Sequence, residues 1–202
     1  AAVLLQDAAA RGTAFFRTAL FAPVVTTVVA VAVIWRYLFH TRYGWINYAL
    51  EGIGIGPVDW LGDPQWAMPT LILFAVWKNF GYNMIILLAG LQAIPTDLYE
   101  AARIDGANRW QQFRHITLPG LQPMLVMVAI LTTAGYFQLF AEPYVITEGG
   151  PVQSTLSVLY LMFEEGFKWW NLGMASAVAF TLFAMMLTVT LLLSRLAGRA
   201  RP

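Results

Sequence analysis

Apolar residues run through this chain in four long blocks separated by short polar ones. Residues 19–39, 66–92, 116–141 and 169–194 are nearly free of charge. Each exceeds or matches the roughly 20 helical residues that cross a bilayer. Only the second block holds a charge near its middle, Lys78. The pattern predicts an all-α protein, a polytopic membrane helical bundle of four spans forming a single transmembrane domain over residues 1–202. A shorter apolar run at residues 1–5 reads as the tail of an earlier span, which makes the chain an N-terminally truncated fragment with an N-terminal stub. No basic region precedes that run, so it is not read as a signal peptide.

The ends of the blocks carry the expected punctuation. The first tolerates Pro23 in its opening turns and ends near Trp35-Arg36-Tyr37, where aromatic rings favour the headgroup level. Residues 40–65 form a loop rich in Gly and Pro, with Trp45, Trp60 and Trp66 as interface anchors. Ile94-Pro95 stops the second span, and Leu118-Pro119 reads as the start of the third, since Pro at a first helical position loses no hydrogen bond. The chain leaves the third span at Glu142-Pro143, turns at Gly149-Gly150-Pro151 and forms a short helix over 155–167 before the last span.

Composition agrees with membrane residence. The chain is 59% hydrophobic and 11% charged, against about a quarter charged in soluble domains. The net charge of +1 says little, but its distribution is one-sided. With four crossings, Arg11, Arg17, Arg103, Arg109, Arg114, Arg195, Arg199 and Arg201 share one side, and the other holds only Arg36, Arg42 and Lys168. Positive charge collects on the cytoplasmic face, so both termini and the central loop are expected in the cytoplasm. The chain has no Cys, and His40 and His115 lie on opposite sides, so no thiolate, metal or catalytic pair is read.

The polar stretch 95–118, between the second and third spans, reads as two short helices. Asp97 with Glu100, and Asn108 with Gln111, have capping-box spacing. Gly106 stands where the first helix must end in the left-handed conformation. Ala101 and Ala102 leave part of that helix bare for close approach by another protein. Leu98, Tyr99 and Ile104 offer apolar anchors, and Arg103, Asp105 and Arg109 a polar rim.

Inside the spans, Lys78 with Tyr82 and Asn79 with Asn83 are each four apart and form a polar stripe on one helix. Tyr136 and Gln138 lie near the outer end of the third span. Amide and aromatic groups of this kind serve sugar hydroxyls and the CH faces of sugar rings. Asn and Gln also hold membrane helices together, and a central Lys, costing about 2.5–3.5 kcal/mol against lipid, must face protein or water.

Glu100-Ala101-Ala102, three residues, Gly106, nine residues and then Ile116-x-Leu118-Pro119 resembles the EAA loop of ABC importer permeases. Phe16-Arg17-Thr18, Ile34-Trp35, Trp77-Lys78, Leu88-Ala89-Gly90-Leu91-Gln92, Ile104-Asp105-Gly106-Ala107 and Gly149-Gly150-Pro151 are similar to carbohydrate-uptake members, of the maltose and glycerol-3-phosphate type. Such permeases usually have six or more spans, against four and a stub here. The resemblance implies a permease subunit in a prokaryotic inner membrane that carries a sugar or related polyol. Its partners would be a second permease, two cytoplasmic ATPase subunits and an extracytoplasmic solute-binding protein.

Glu100, Ala101, Ala102, Asp105 and Gly106 would then be the ATPase-coupling residues, and Lys78, Asn79, Tyr82, Asn83, Tyr136 and Gln138 the candidates for the substrate pathway. For Lys78 the resemblance points more to a structural position than to substrate contact. The chain has no Gly-rich loop ending in Gly-Lys-Ser/Thr, so ATP and Mg are expected on the partner ATPase, with no cofactor here. The rival classes are an intramembrane enzyme and a structural scaffold. The first needs a His-Glu-x-x-His or Gly-x-Ser-x-Gly context that the sequence lacks, and the second leaves the EAA spacing unexplained.

Overall fold

The computed structural model describes residues 13–199, which are mostly helical with no strand among them. The expected stub at residues 1–5 lies outside the described residues. In order come α1 (Thr13–Val25), α2 (Val28–Leu38), α3 (Trp45–Glu51), α4 (Pro64–Gln92) and α5 (Thr96–Ile104). After them α6 (Arg109–Gln112) runs through a π-helical turn, Phe113–Thr117, into α7 (Leu118–Phe137). A second π turn, Pro143–Thr147, precedes α8 (Val158–Phe163), which ends in a third, Glu164–Lys168. The last helix is α9 (Leu172–Arg199).

Three helical stretches are long and apolar enough to cross a membrane: Pro64–Gln92, Arg109–Phe137 and Leu172–Arg195. The fourth expected span, 19–39, is not one straight helix. It breaks between Val25 and Val28, and the axes of its two halves differ by 100°. Pro23 begins the break, because proline removes a backbone donor and clashes with the preceding turn. Thr26 Oγ1 then donates to the Pro23 carbonyl at 2.7 Å instead of letting the helix continue.

The third span also differs from expectation. Pro119 does not open it, since helix continues upstream without interruption to Arg109 through the π turn. Proline is tolerated there as one of the first residues after a turn whose hydrogen bonds are already shifted.

Contacts divide the described chain into two compact units. One comprises residues 23–79 and 134–188, the other the remaining described residues. The core of the first is built by Val31, Ala32, Leu71, Phe74 and Ile146, with Trp35 and Val145 packed against them. Trp35 meets Phe74 edge-on with ring centroids 5.1 Å apart. A second aromatic cluster of Phe140, Tyr144, Tyr160 and Phe163 has centroids 5.1–5.8 Å apart. Arg36 ties α2 to the turn below it, pairing with Glu148 at 3.0 Å.

In the other unit, Gly81 of α4 lies against the backbone of α1. A Cβ at position 81 would come within 2.2 Å of the Leu20 carbonyl oxygen, so only glycine permits this approach. Small residues of this kind let membrane helices pack by backbone contact where lipid gives them no hydrophobic push. Elsewhere apolar surface stays open: only 6% of the apolar window of α9 is buried within the chain.

Candidate functional site: the helix between two spans

The first of the two short helices expected between the second and third spans is α5, nine residues with none buried. Its N-terminus corrects one expectation. Pro95 occupies the N-cap, and no side chain caps the helix, so Asp97 and Glu100 form no capping box. Asp97 instead lies in the first turn and Arg103 in the last, each favourable to the helix dipole.

The C-terminus follows from the glycine. Gly106 has φ of 80°, its N–H donates to the Arg103 carbonyl at 3.1 Å, and the Ala107 N–H donates to Ala102 at 2.8 Å. That pair of bonds is the Schellman motif, which satisfies carbonyls the helix end leaves open. The chain then restarts at once. Asn108 Oδ1 accepts from the Gln111 N–H at 2.9 Å, and Gln111 Oε1 accepts from the Asn108 N–H at 2.8 Å. This is the capping box the spacing predicts.

Two further bonds fix α5 to the foot of the next span. Tyr99 and Thr117 share a hydrogen bond of 2.9 Å, and Gln112 Nε2 donates to the Ala107 carbonyl at 2.9 Å. Tyr99 is thus an internal anchor, whereas Leu98 and Ile104, 50% and 87% exposed, are left for contact outside the chain. Ala101 is exposed and Ala102 half-buried. A cleft of about 800 Å³ opens beside the helix, with Glu100, Arg103, Asn108 and Arg109 in its wall. A smaller one of about 330 Å³ is lined by Ala102, Asp105 and Gly106 among others. The helix thus leaves Ala101, two apolar side chains and the flanking clefts open to contact from outside this chain.

The intramembrane polar residues Lys78, Asn79, Tyr82 and Asn83 lie on one helix, α4, as their spacing predicts, and meet different partners. Lys78 is only 8% exposed. Its ammonium donates to the carbonyls of Pro23, Val24 (3.3 Å) and Thr26 (2.7 Å), the groups released by the α1–α2 break. Lys has three such donors, so the clasp uses all of them.

Asn79 donates to the Ala75 carbonyl at 3.0 Å and meets the Tyr136 hydroxyl. Asn83 accepts from Thr132 at 3.4 Å. Tyr82 is 47% and Tyr136 37% exposed, and the Gln138 side chain bonds to the Ala134 carbonyl one turn back.

Sequence reasoning missed two residues. Glu142, read only as a loop acid, is partly buried, and burial raises its carboxyl pKa while its own backbone amide and the Lys78 charge pull it back. Its position beside Pro143 at a span end was the available signal. Asn47 had none that could be read from a polar loop.

A chain of membrane-crossing helices with short exposed helices between them belongs to the class of polytopic membrane proteins. Residues 8–202 match the model of the family described as binding-protein-dependent transport system inner membrane component, and the chain belongs to that family.

Among its relatives is the probable ABC transporter permease protein YurN of Bacillus subtilis (strain 168), 36% identical over 196 residues, covering 96% of this chain and 66% of that protein. The trehalose/maltose transport system permease protein MalF of Thermococcus litoralis is 36% identical over 201 residues, covering 98% of this chain and 66% of its own length. The lactose transport system permease protein LacF of Rhizobium radiobacter is 36% identical, with 95% and 65% covered. The chain thus spans just under two thirds of these relatives.

Among solved structures, the bacterial alginate ABC transporter in complex with alginate pentasaccharide-bound periplasmic protein has a chain of the same fold. It matches with a TM-score of 0.87 and 24% identity, over 98% of this chain and 69% of that one.

Proposed function

We propose that this chain is a membrane permease subunit of an ATP-driven importer that carries a sugar or related polyol into the cell. The observation that carries this reading is α5 with its Gly106 terminus: a helix with no residue buried, at the point where a motor protein would grip. Glu100 makes the leading polar contact, Ala101 and Ala102 the close-packed face, Asp105 its rim and Gly106 the bend. Two cytoplasmic ATPase subunits hold ATP and Mg, a second permease completes the pathway, and a solute-binding protein delivers cargo outside.

The Lys and Arg bias supports an orientation with both ends of this chain and α5 in the cytoplasm. Asn79, Tyr82, Asn83, Tyr136 and Gln138 supply polar and aromatic groups to the sugar, while Lys78 holds the wall behind them. The names of the sugar-transporting relatives support the substrate class.

Because the chain has no Cys, Ala101→Cys gives one thiol for crosslinking. In the assembled complex it is expected to link to the ATPase subunit, and failure to do so in an active complex counts against the reading. Asn83→Ala tests the pathway separately, by a weaker apparent affinity for substrate in uptake assays.

A further inference from the structure

Between the end of α2 at Leu38 and the start of α4 at Pro64 the chain folds into a small cap around one side chain. Asn47 is 2% exposed. Its Nδ2 donates to the carbonyls of Thr41 (2.9 Å) and Val58 (2.8 Å). Its Oδ1 accepts from the Val58 N–H (3.2 Å) and Trp60 Nε1 (2.8 Å). Those four bonds use the whole capacity of an amide. They pin the Asn47 face of α3 inward, so the opposite face must look outward.

That face is aromatic. Trp45 is 77%, Tyr48 79% and the neighbouring Tyr43 63% exposed. With Arg42 and Glu51 they line a cavity of about 370 Å³. Among the described residues the ion pairs are Arg36–Glu148 and Lys168–Glu164, so neither Arg42 nor Glu51 is paired. Just past Glu51, Ile53 and Ile55 are 72% and 48% exposed.

Such a surface is costly in water, yet it stands at the end of a membrane-crossing helix, where Trp and Tyr settle among headgroups and apolar side chains reach the acyl boundary. The two unpaired charges are of opposite sign. A guanidinium grips phosphate oxygens with its planar fork. An ammonium is held by a carboxylate and by the faces of aromatic rings.

We propose that this cavity holds the headgroup of a zwitterionic aminophospholipid from the leaflet at the Pro64 end of α4. Its phosphate lies on Arg42, and its ammonium lies between Glu51 and the rings of Trp45 and Tyr48. The acyl chains run over Ile53 and Ile55. This site depends on α4 crossing the bilayer and is independent of what the protein transports.

Native mass spectrometry of the delipidated intact complex tests it, with dioleoyl phosphatidylethanolamine, dioleoyl phosphatidylglycerol or inorganic phosphate added. Wild type should retain phosphatidylethanolamine above phosphatidylglycerol and ignore free phosphate. Arg42→Gln should weaken retention of both lipids by about tenfold, the loss of one charge-assisted contact. Glu51→Gln should abolish the preference for phosphatidylethanolamine and leave phosphatidylglycerol unchanged. Both residues are exposed, and an unchanged melting temperature confirms folding. Equal retention of the two lipids by wild type, competition by inorganic phosphate, or unaltered binding in Arg42→Gln would each overturn the proposal. So would a Tyr48→Cys thiol that another subunit shields in the complex.

Discussion

The clasp at the α1–α2 break and the capped end of α5 solve the same problem in opposite ways. Each interrupts a helix and so frees backbone carbonyls that must find donors. At the break, the donors come from Lys78, a side chain more than fifty residues along the chain, and the result is a buried knot. At α5, the donors are the next two backbone N–H groups, folded back by a glycine, and the result stays unburied, tied to the next span through Tyr99 and Thr117. A helix end closed by its own neighbours can be exposed and moved. One closed from afar fixes the elements that share it.

The largest effect is therefore expected at Lys78. Lys78→Met keeps the stem but takes this donor from three carbonyls, of which Pro23 keeps the Thr26 hydroxyl. At about 1–3 kcal/mol for each group orphaned away from water, and with partial rescue by water, the loss should be on the order of 3 kcal/mol. Thermal melting of the purified protein reads it. Lys78→Arg, which keeps donors of different shape, should fall between the two, and a Lys78→Met protein melting like wild type would remove the clasp from the account.

Gly106→Val comes next and should divide differently. A β-branched residue in the left-handed region costs about 1–2 kcal/mol, but the strain stays within α5 and its turn. Global melting should hardly move, while ATP-driven uptake collapses because the docking surface is displaced. If uptake and melting fell together, the contrast between the two helix ends would fail.

Asn108→Ala is milder, costing about 1 kcal/mol for a lost N-cap. It should appear as faster amide exchange at Gln111, with Lys78's surroundings unaffected.

These contrasts also show what could be read in advance. The helix of the second span, expected at 66–92, runs over Pro64–Gln92, because a long apolar run with a single charge, bounded by Pro95, leaves little choice. Gly106 and the Asn108–Gln111 box were legible because a cap is a local matter, settled within four residues. Asp97 misled because Pro95 takes the N-cap, and a spacing rule does not see which residue enters the helix first.

The break at Val25–Val28 was hidden for the opposite reason. Residues 19–39 are apolar but for Thr26, Thr27 and Arg36, and what stabilises the bend is a lysine on another helix. The partners of the polar stripe on α4 were hidden for the same cause: helical spacing predicts which residues share a face, not which partners each one meets. Asn47 marks the limit, since its four bonds run to residues between 6 and 13 positions away in a loop without periodicity.

The smallest effect is a pH dependence that links the clasp to its nearest acid. Burial lifts the Glu142 carboxyl above an ordinary carboxylate's 4.5, and the Lys78 charge opposes that rise. The folded chain then keeps this proton to higher pH than the unfolded chain does. Stability should fall as pH climbs from 4.5 to the raised value and level off beyond it. Glu142→Gln should flatten that segment of a melting-temperature profile. Removing the opposing charge should widen it, so Lys78→Met is expected to show a longer fall than wild type, and the double variant none. If Lys78→Met instead shortened the fall, the two groups would not be electrostatic neighbours, and the lysine's work would end at the three carbonyls.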